Sequence, residues 1–292
     1  MQPIPRITFE QLAARYPVLL LDAYGVLVHA TGVLPHAVER IAYLNGTGKP
    51  YFLLTNDASR LPATAARRYR RLGLDIPAER IISSGDLLAP YFAAHGLRDK
   101  TCAVLGPPDS VRFVESAGGR PVPADSPFEV LVIGDETGYP FLETLDAALS
   151  TLFRQLDGGA RVQLVVPNPD LIFPKSENAF GMAAGSIALM VEAALQLRYP
   201  HRPELRFARL GKPHRAIFEE AARRAGTSDM VMVGDQLETD IRGAAGFGID
   251  SVLVTGGVAG QSVSTTLAEL QPTYLLRNTG DEHAESGTWP SP

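Results

Sequence analysis

Short runs of Val, Ile and Leu recur along this chain, and most are followed by an amphipathic stretch of helical period. VLLL at 18–21, YFLL at 51–54, VLVI at 130–133, MVMV at 230–233 and SVLV at 251–254 are apolar at consecutive positions. A strand presents alternate residues to opposite faces, so such runs fit strands covered on both sides. Further strands are expected at 103–105 and 162–166, and the first at 18–22. Helices are expected at 8–15, with a capping box at Thr8 and Gln11, at 35–44, closed by Asn45-Gly46, and at 62–72, with Gly73 just past the end. Others are expected at 141–156, 182–197, 213–225 and 237–245. Strand–helix alternation throughout means an α/β fold with a mainly parallel sheet.

Ligands of open parallel sheets sit beyond the carboxyl ends of the strands, so the residues at those ends matter most. They are Asp22 after VLLL, Thr55-Asn56 after YFLL and Gly234-Asp235 after MVMV. Asp22, in DAYGVL, can be a nucleophile or metal ligand, with Gly25 letting backbone approach a ligand, or it can cap the following turn. Thr55-Asn56 can offer a hydroxyl and backbone N–H groups to a phosphoryl oxygen, or cap the next helix. Lys212, in GKP at a helix start, offers a compact cation to an anionic group or is simply solvated. In VGDQLETD, Asp235 and Asp240 can hold a hard cation through oxygen, or cap and charge a helix start.

Taken together and in order, DAYGVL, LLTN, GKP and GDQLETD resemble the haloacid-dehalogenase-like hydrolases. The gap from Thr55 to Lys212 is far longer than that from Lys212 to Asp235, which leaves room for an inserted cap, as in the NagD-like and 4-nitrophenyl phosphate phosphatases. TNDASR at 55–60, NPD at 168–170, GMAAGSIA at 181–188 and GIDSVLVTGGV at 248–258 support that branch. The resemblance implies a Rossmann-like, doubly wound parallel-sheet core from 1–97 and 205–292, with a smaller α/β cap at 98–204. It implies a phosphatase for a small phosphorylated metabolite, a sugar phosphate or nucleotide-like ester, that works through an aspartyl-phosphate on Asp22. Mg²⁺ would be bound by Asp22, the Tyr24 backbone carbonyl and Asp235, with Asp240 in support. Thr55, Asn56 and Lys212 would hold the transferring oxygens, and Gly25 would lie against the ligand.

One position departs from the pattern. Tyr24 stands where phosphatases of this family usually carry the Asp that protonates the leaving oxygen. A phenol, with its pKa near ~10, suits that work poorly at neutral pH, which implies slow turnover. DAYG also resembles the first motif of the 2-haloacid dehalogenases, so a dehalogenase-type hydrolase and a catalytically weak phosphate-ligand-binding protein remain as other readings.

In the cap, Asp135, Asn168 and Asp170 are the candidate substrate contacts, or turn caps facing solvent. Tyr139, Phe141 and Phe173 could stack on a ring, though core packing is the commoner use. RRYRR at 67–71 is expected as a solvated helix face, because 27 basic against 32 acidic residues give a net charge of −5 and no nucleic-acid footprint. His29 and His214 are expected to be bland surface histidines, and the single cysteine, Cys102, buried and inert. No signal-like start and no long apolar run are seen, so a cytoplasmic protein without a membrane span is expected. A homodimer through the cap is expected by analogy, and the tail from Thr279 onward is expected to be mobile.

Overall fold

The computed structural model describes residues 4–30, 32–176, 179–255 and 270–277; the C-terminal tail and residues 256–258 of the last motif lie outside them. The Val18–Asp22 run is a strand buried at all five positions. Leu19 and Leu21 point into one apolar layer, with Leu12, Ile41 and Tyr69, whereas Val18 and Leu20 point into another, with Phe92, Ile217 and Phe218. This is the double coverage that the consecutive apolar residues require.

Six parallel strands form the first sheet, in the order Tyr274–Arg277, Asp250–Thr255, Met230–Gly234, Val18–Asp22, Tyr51–Thr55, Ile81–Ser83. From Val18–Asp22 the chain first builds toward one edge, then returns to build toward the other. The strand order therefore reverses between Val18–Asp22 and Met230–Gly234, and their carboxyl ends flank the crevice where such sheets bind ligands. The doubly wound α/β fold is thus present.

A second parallel sheet has the order Ala208–Arg209, Gln163–Val166, Val130–Ile133, Thr101–Leu105, Arg120–Val122. Val130, Val132 and Val165 join the apolar layer that contains Leu20 and Phe218, so the two sheets share one core. Leu131, Ile133 and Val166 face the helices Phe141–Asp157 and Ala184–Arg198 on the other side. Glu192, 2% exposed, fastens the Ala184–Arg198 helix: it accepts from the Phe207 amide at 2.7 Å and Arg209 at 3.0 Å, with Arg206 at 3.4 Å.

Several boundaries differ from expectation. The second helix spans Ala37–Gly46, so Asn45-Gly46 lies inside it; the chain turns at Thr47 and at Gly48, whose φ is +65°. Met182 is not helical. It pairs with Ile172 in an antiparallel hairpin of Ile172–Ser176 and Ala179–Met182, and the helix begins at Ala184. The segment expected as one helix from 237 divides into a wide π-helical turn, Leu237–Ile241, and a short helix, Arg242–Phe247. The first helix, Phe9–Arg15, carries the Thr8/Gln11 capping box as expected.

Among the described residues, no helix is long and apolar enough to cross a membrane.

Candidate active site

Asp22 ends the Val18–Asp22 strand and is 6% exposed, in a setting where an isolated carboxylate is costly. Its Oδ1 accepts a hydrogen bond from Lys212 Nζ at 2.6 Å, and the same ammonium donates to Asp240 Oδ1 at 2.7 Å. Asp235 leaves the neighbouring strand, and one carboxylate oxygen from each of Asp22, Asp235 and Asp240 lies within 4.8 Å of the others. All four side chains are buried. Segments 190 residues apart in the chain thus meet at one ammonium.

Backbone shape makes room for this cluster. Gly25 has φ +82°, and a Cβ there would fall 2.0 Å from the Asp235 carboxylate. The bare backbone of Gly25 admits the Asp235 side chain. A Cβ on Gly234 would meet the Asp240 carboxylate at 2.2 Å. The π-helical turn then swings Asp240 back beneath the strand end, where its Oδ2 accepts from the Gln236 amide at 3.2 Å.

Three carboxyls meet one ammonium, so ionising all of them would leave surplus negative charge. Burial pushes Asp22 up to about 7; Lys212 opposes the shift and Asp240 adds to it. Burial, then repulsion by Asp22 and Asp240, pushes Asp235 up to about 8. Burial acts to lower Lys212, but the charges of Asp22 and Asp240 outweigh it and raise the ammonium, which stays protonated.

A hard divalent cation fits this set. All the donors are carboxylate oxygens, and Asp235 Oδ1 is buried without a hydrogen-bond partner among the described residues. Such an ion would give that atom its missing partner and offset the surplus charge.

Above the cluster lies a cavity of about 400 Å³. Asp22, Tyr24, Thr55 and Asn56 line it from the first sheet, Asp135, Asn168 and Asp170 from the second, and Lys212 from the segment after Ala208–Arg209. The cap candidates therefore face the same space as Asp22 rather than solvent. Thr55 Oγ1 accepts from the Asp57 amide at 3.1 Å. The Asn56 side chain is a clasp: its Oδ1 accepts from the Lys212 amide at 2.7 Å, while its Nδ2 donates to the Lys212 carbonyl at 3.0 Å and to Asp170 Oδ1 at 2.8 Å. Asn168 Oδ1 accepts from the Asp170 amide at 3.0 Å. Asp135 Oδ1 accepts from Thr137 N and Oγ1 at 3.0 and 2.6 Å, and burial raises its carboxyl.

Tyr24 extends its hydroxyl to the Pro174 carbonyl on the hairpin, 3.2 Å away, and burial raises the phenol above its ordinary value. Phe173 also lines the cavity, whereas Phe141 is 37% exposed and stacks near Tyr139. The basic run 67–71 is only partly a solvated face. Tyr69 is buried, and Arg68 lines the cavity beside it. The signal was present: Ala65, Ala66 and Tyr69 share one helical face, which places Arg68 at its margin. His214 is exposed at a helix start, and Cys102 is buried, its thiol pushed up to about 11 by that burial.

The chain is similar to known hydrolases and phosphatases. Residues 19–120 match the family described as haloacid dehalogenase-like hydrolase, and residues 209–281 match the one described as HAD-hydrolase-like. The dihydroxyacetone phosphatase of Corynebacterium glutamicum is 27% identical over 264 residues, covering 90% of this chain and 89% of the relative. An acid sugar phosphatase of Staphylococcus haemolyticus is 27% identical over 270 residues, covering 90% and 94%. Among solved structures, a possible sugar phosphatase of the HAD superfamily from Cytophaga hutchinsonii superposes with a TM-score of 0.79 at 29% identity, covering 94% of this chain and 98% of that one.

Proposed function

The chain belongs to the haloacid-dehalogenase-like hydrolases and is a phosphatase, and from that premise we propose that it cleaves small phosphorylated metabolites of the sugar-phosphate kind with the help of Mg²⁺. The observation that carries this reading is the buried cluster in which Lys212 bonds Asp22 and Asp240 with Asp235 at hand. Relatives named for dihydroxyacetone phosphate and sugar phosphates support the substrate class.

Asp22 attacks phosphorus and carries the phosphoryl group as an aspartyl-phosphate, which water then hydrolyses. Its carboxylate is held in place by Lys212 at 2.6 Å. An ammonium has three N–H donors; two are used on Asp22 and Asp240, which leaves one for a phosphoryl oxygen. The Thr55 hydroxyl and the Asn56 amide supply further donors at the neighbouring strand end, set in advance where charge moves during transfer. Asp22, Asp235 and the Tyr24 carbonyl would hold Mg²⁺, with Asp240 in support. When bound, the ion neutralises charge on the cluster and on the phosphoryl oxygens. Gly25 keeps the Asp235 carboxylate within reach of Asp22. The 98–204 segment acts as a cap over the core formed by 1–97 and 205–292, and its Asp135, Asn168 and Asp170 contact the rest of the substrate.

The paired acids Asp235 and Asp240 favour phosphoryl transfer over a 2-haloacid dehalogenase-type reaction, which attacks carbon and needs no metal. Mg²⁺-dependent phosphate release from 4-nitrophenyl phosphate, lost in Asp22→Asn, is the expected result. Halide release from a 2-haloacid in chelator, or phosphate binding without turnover, would replace this reading.

Two copies pair through the cap. Support comes from Leu189, Met190 and Leu197 on the Ala184–Arg198 helix and from Ile172, Phe180 and Met182 on the hairpin, all exposed apolar side chains.

A further inference from the structure

Breaking an alkyl phosphate ester expels an alkoxide unless an acid hands a proton to the departing oxygen. Tyr24 does not fill that role here. Its hydroxyl proton is directed at the Pro174 carbonyl, 3.2 Å away, and burial holds the phenol above its ordinary value. Asp22, Asp235 and Asp240 are taken up by the nucleophilic and cation-binding cluster. Asp57 has both oxygens engaged, with Ser59 on Oδ1 and Arg60 on Oδ2 at 2.7 Å. Asp135 turns one oxygen to Thr137.

Of the acids that line the cavity, Glu136 among them, Asp170 alone among the described residues bonds Asn56. Its carboxyl is hydrogen-bonded to the phosphate cradle itself: Oδ1 accepts from Asn56 Nδ2 at 2.8 Å, and Asn56 grips both backbone groups of Lys212. Its backbone is fixed as well, with the amide bonded to Asn168 Oδ1 at 3.0 Å and the carbonyl accepting from the Gly185 amide at 3.0 Å. Among the described residues, no donor reaches Oδ2, so one oxygen is left for a ligand.

We propose that Asp170 is the general acid–base of this phosphatase, supplying from the second sheet the carboxyl that the Tyr24 position lacks. The proposal rests on the phosphatase reading above. Burial raises the Asp170 carboxyl; the Asn56 amide and Lys212 pull it down, Asp240 pushes it up, and the balance is upward, toward the protonated form an acid needs.

In the first half-reaction, an Asp22 oxygen bonds to phosphorus while the bond from phosphorus to the leaving oxygen breaks. The Asp170 proton passes to that oxygen, giving a neutral alcohol and the Asp170 carboxylate. In the second half-reaction, the Asp170 carboxylate takes a proton from water as the water oxygen bonds to phosphorus. The bond between phosphorus and Asp22 then breaks, inorganic phosphate leaves, and both carboxyls return to their starting states.

Asp170→Asn keeps the shape and can still accept from Asn56, but it has no proton to give. With Mg²⁺ present, kcat/KM is read for two esters, since it reports only the first half-reaction. Nitrophenolate leaves without a proton, whereas glycerolate does not. The expected result is a ~10²–10⁴-fold loss on glycerol phosphate with less than a ~10-fold loss on 4-nitrophenyl phosphate, at an unchanged melting temperature. Equal losses on the two esters would make Asp170 a positioning residue only, and no loss on either would remove it from the reaction; both overturn the proposal while the phosphatase reading stands. Wild-type protein that turns over neither ester overturns that reading, and the Asp170 assignment with it.

Discussion

Gly25 and Asp235 occupy almost the same space: a Cβ on the glycine would lie 2.0 Å from the carboxylate, at a φ of +82° that other residues rarely adopt. Gly25→Ala is therefore expected to displace Asp235, reducing Mg²⁺ affinity and turnover together and costing ~1–3 kcal/mol of stability by thermal melting. Asp235 itself works against the fold. Its pKa rises to about 8 in the native cluster, while in the unfolded chain it titrates near its ordinary value. Between those values the native state holds a proton that the unfolded state has released, so this contribution to stability is full below about pH 4 and is lost as pH rises through about 8. In chelator at pH 9, Asp235→Asn is expected to melt above wild type, with the gap closing toward pH 4; excess Mg²⁺ should reverse the order, because only the wild type gains from binding. Asp22, Thr55, Lys212, Asp235 and Asp240 were legible in the sequence because each stands at a strand end or helix start. The Asn56–Asp170 contact was not, because 114 residues separate the pair and no periodicity links them.

The buried strands were legible because continuous Val/Ile/Leu runs have few other places to go, and Val18–Asp22 and Tyr51–Thr55 lie where the residues put them. Short edge strands such as Ala208–Arg209 were not, since two residues carry no period. The hairpin of Ile172–Ser176 and Ala179–Met182 was missed for a related reason: its strands are short and, with Ile172 62% and Phe180 59% exposed, show no clean alternation of buried and exposed positions. The π-helical turn could not be read either, because the side chain that fixes it, Asp240, is held by Lys212 from another segment. Packing of the Ala184–Arg198 helix depends on Glu192, a buried carboxylate with the Phe207 amide and two arginines around it. Glu192→Ala is expected to cost ~1–3 kcal/mol by leaving that amide without a partner, seen as a lower denaturant midpoint at unchanged slope.

At the scale of the molecule, the reversal of strand order between Val18–Asp22 and Met230–Gly234 places two acids side by side, and the second sheet sets three more polar side chains above them. Chain spacing pointed to an insertion between Thr55 and Lys212, but not to a second sheet sharing an apolar layer with the first, because facing contacts between sheets leave no trace in local pattern. The proposed pairing of copies belongs to this scale. Leu197, 86% exposed, lies on that surface, and Leu197→Glu is expected to leave single chains in sedimentation while phosphate release per chain persists.

The strand Ala208–Arg209 pairs with Gln163–Val166 in the second sheet, and Lys212 follows three residues later. Three residues of chain can span at most ~10 Å, so there is almost no slack between that sheet and the ammonium that holds Asp22. The second sheet therefore sets where the Lys212 backbone can lie, and so where Asp22 finds its ammonium.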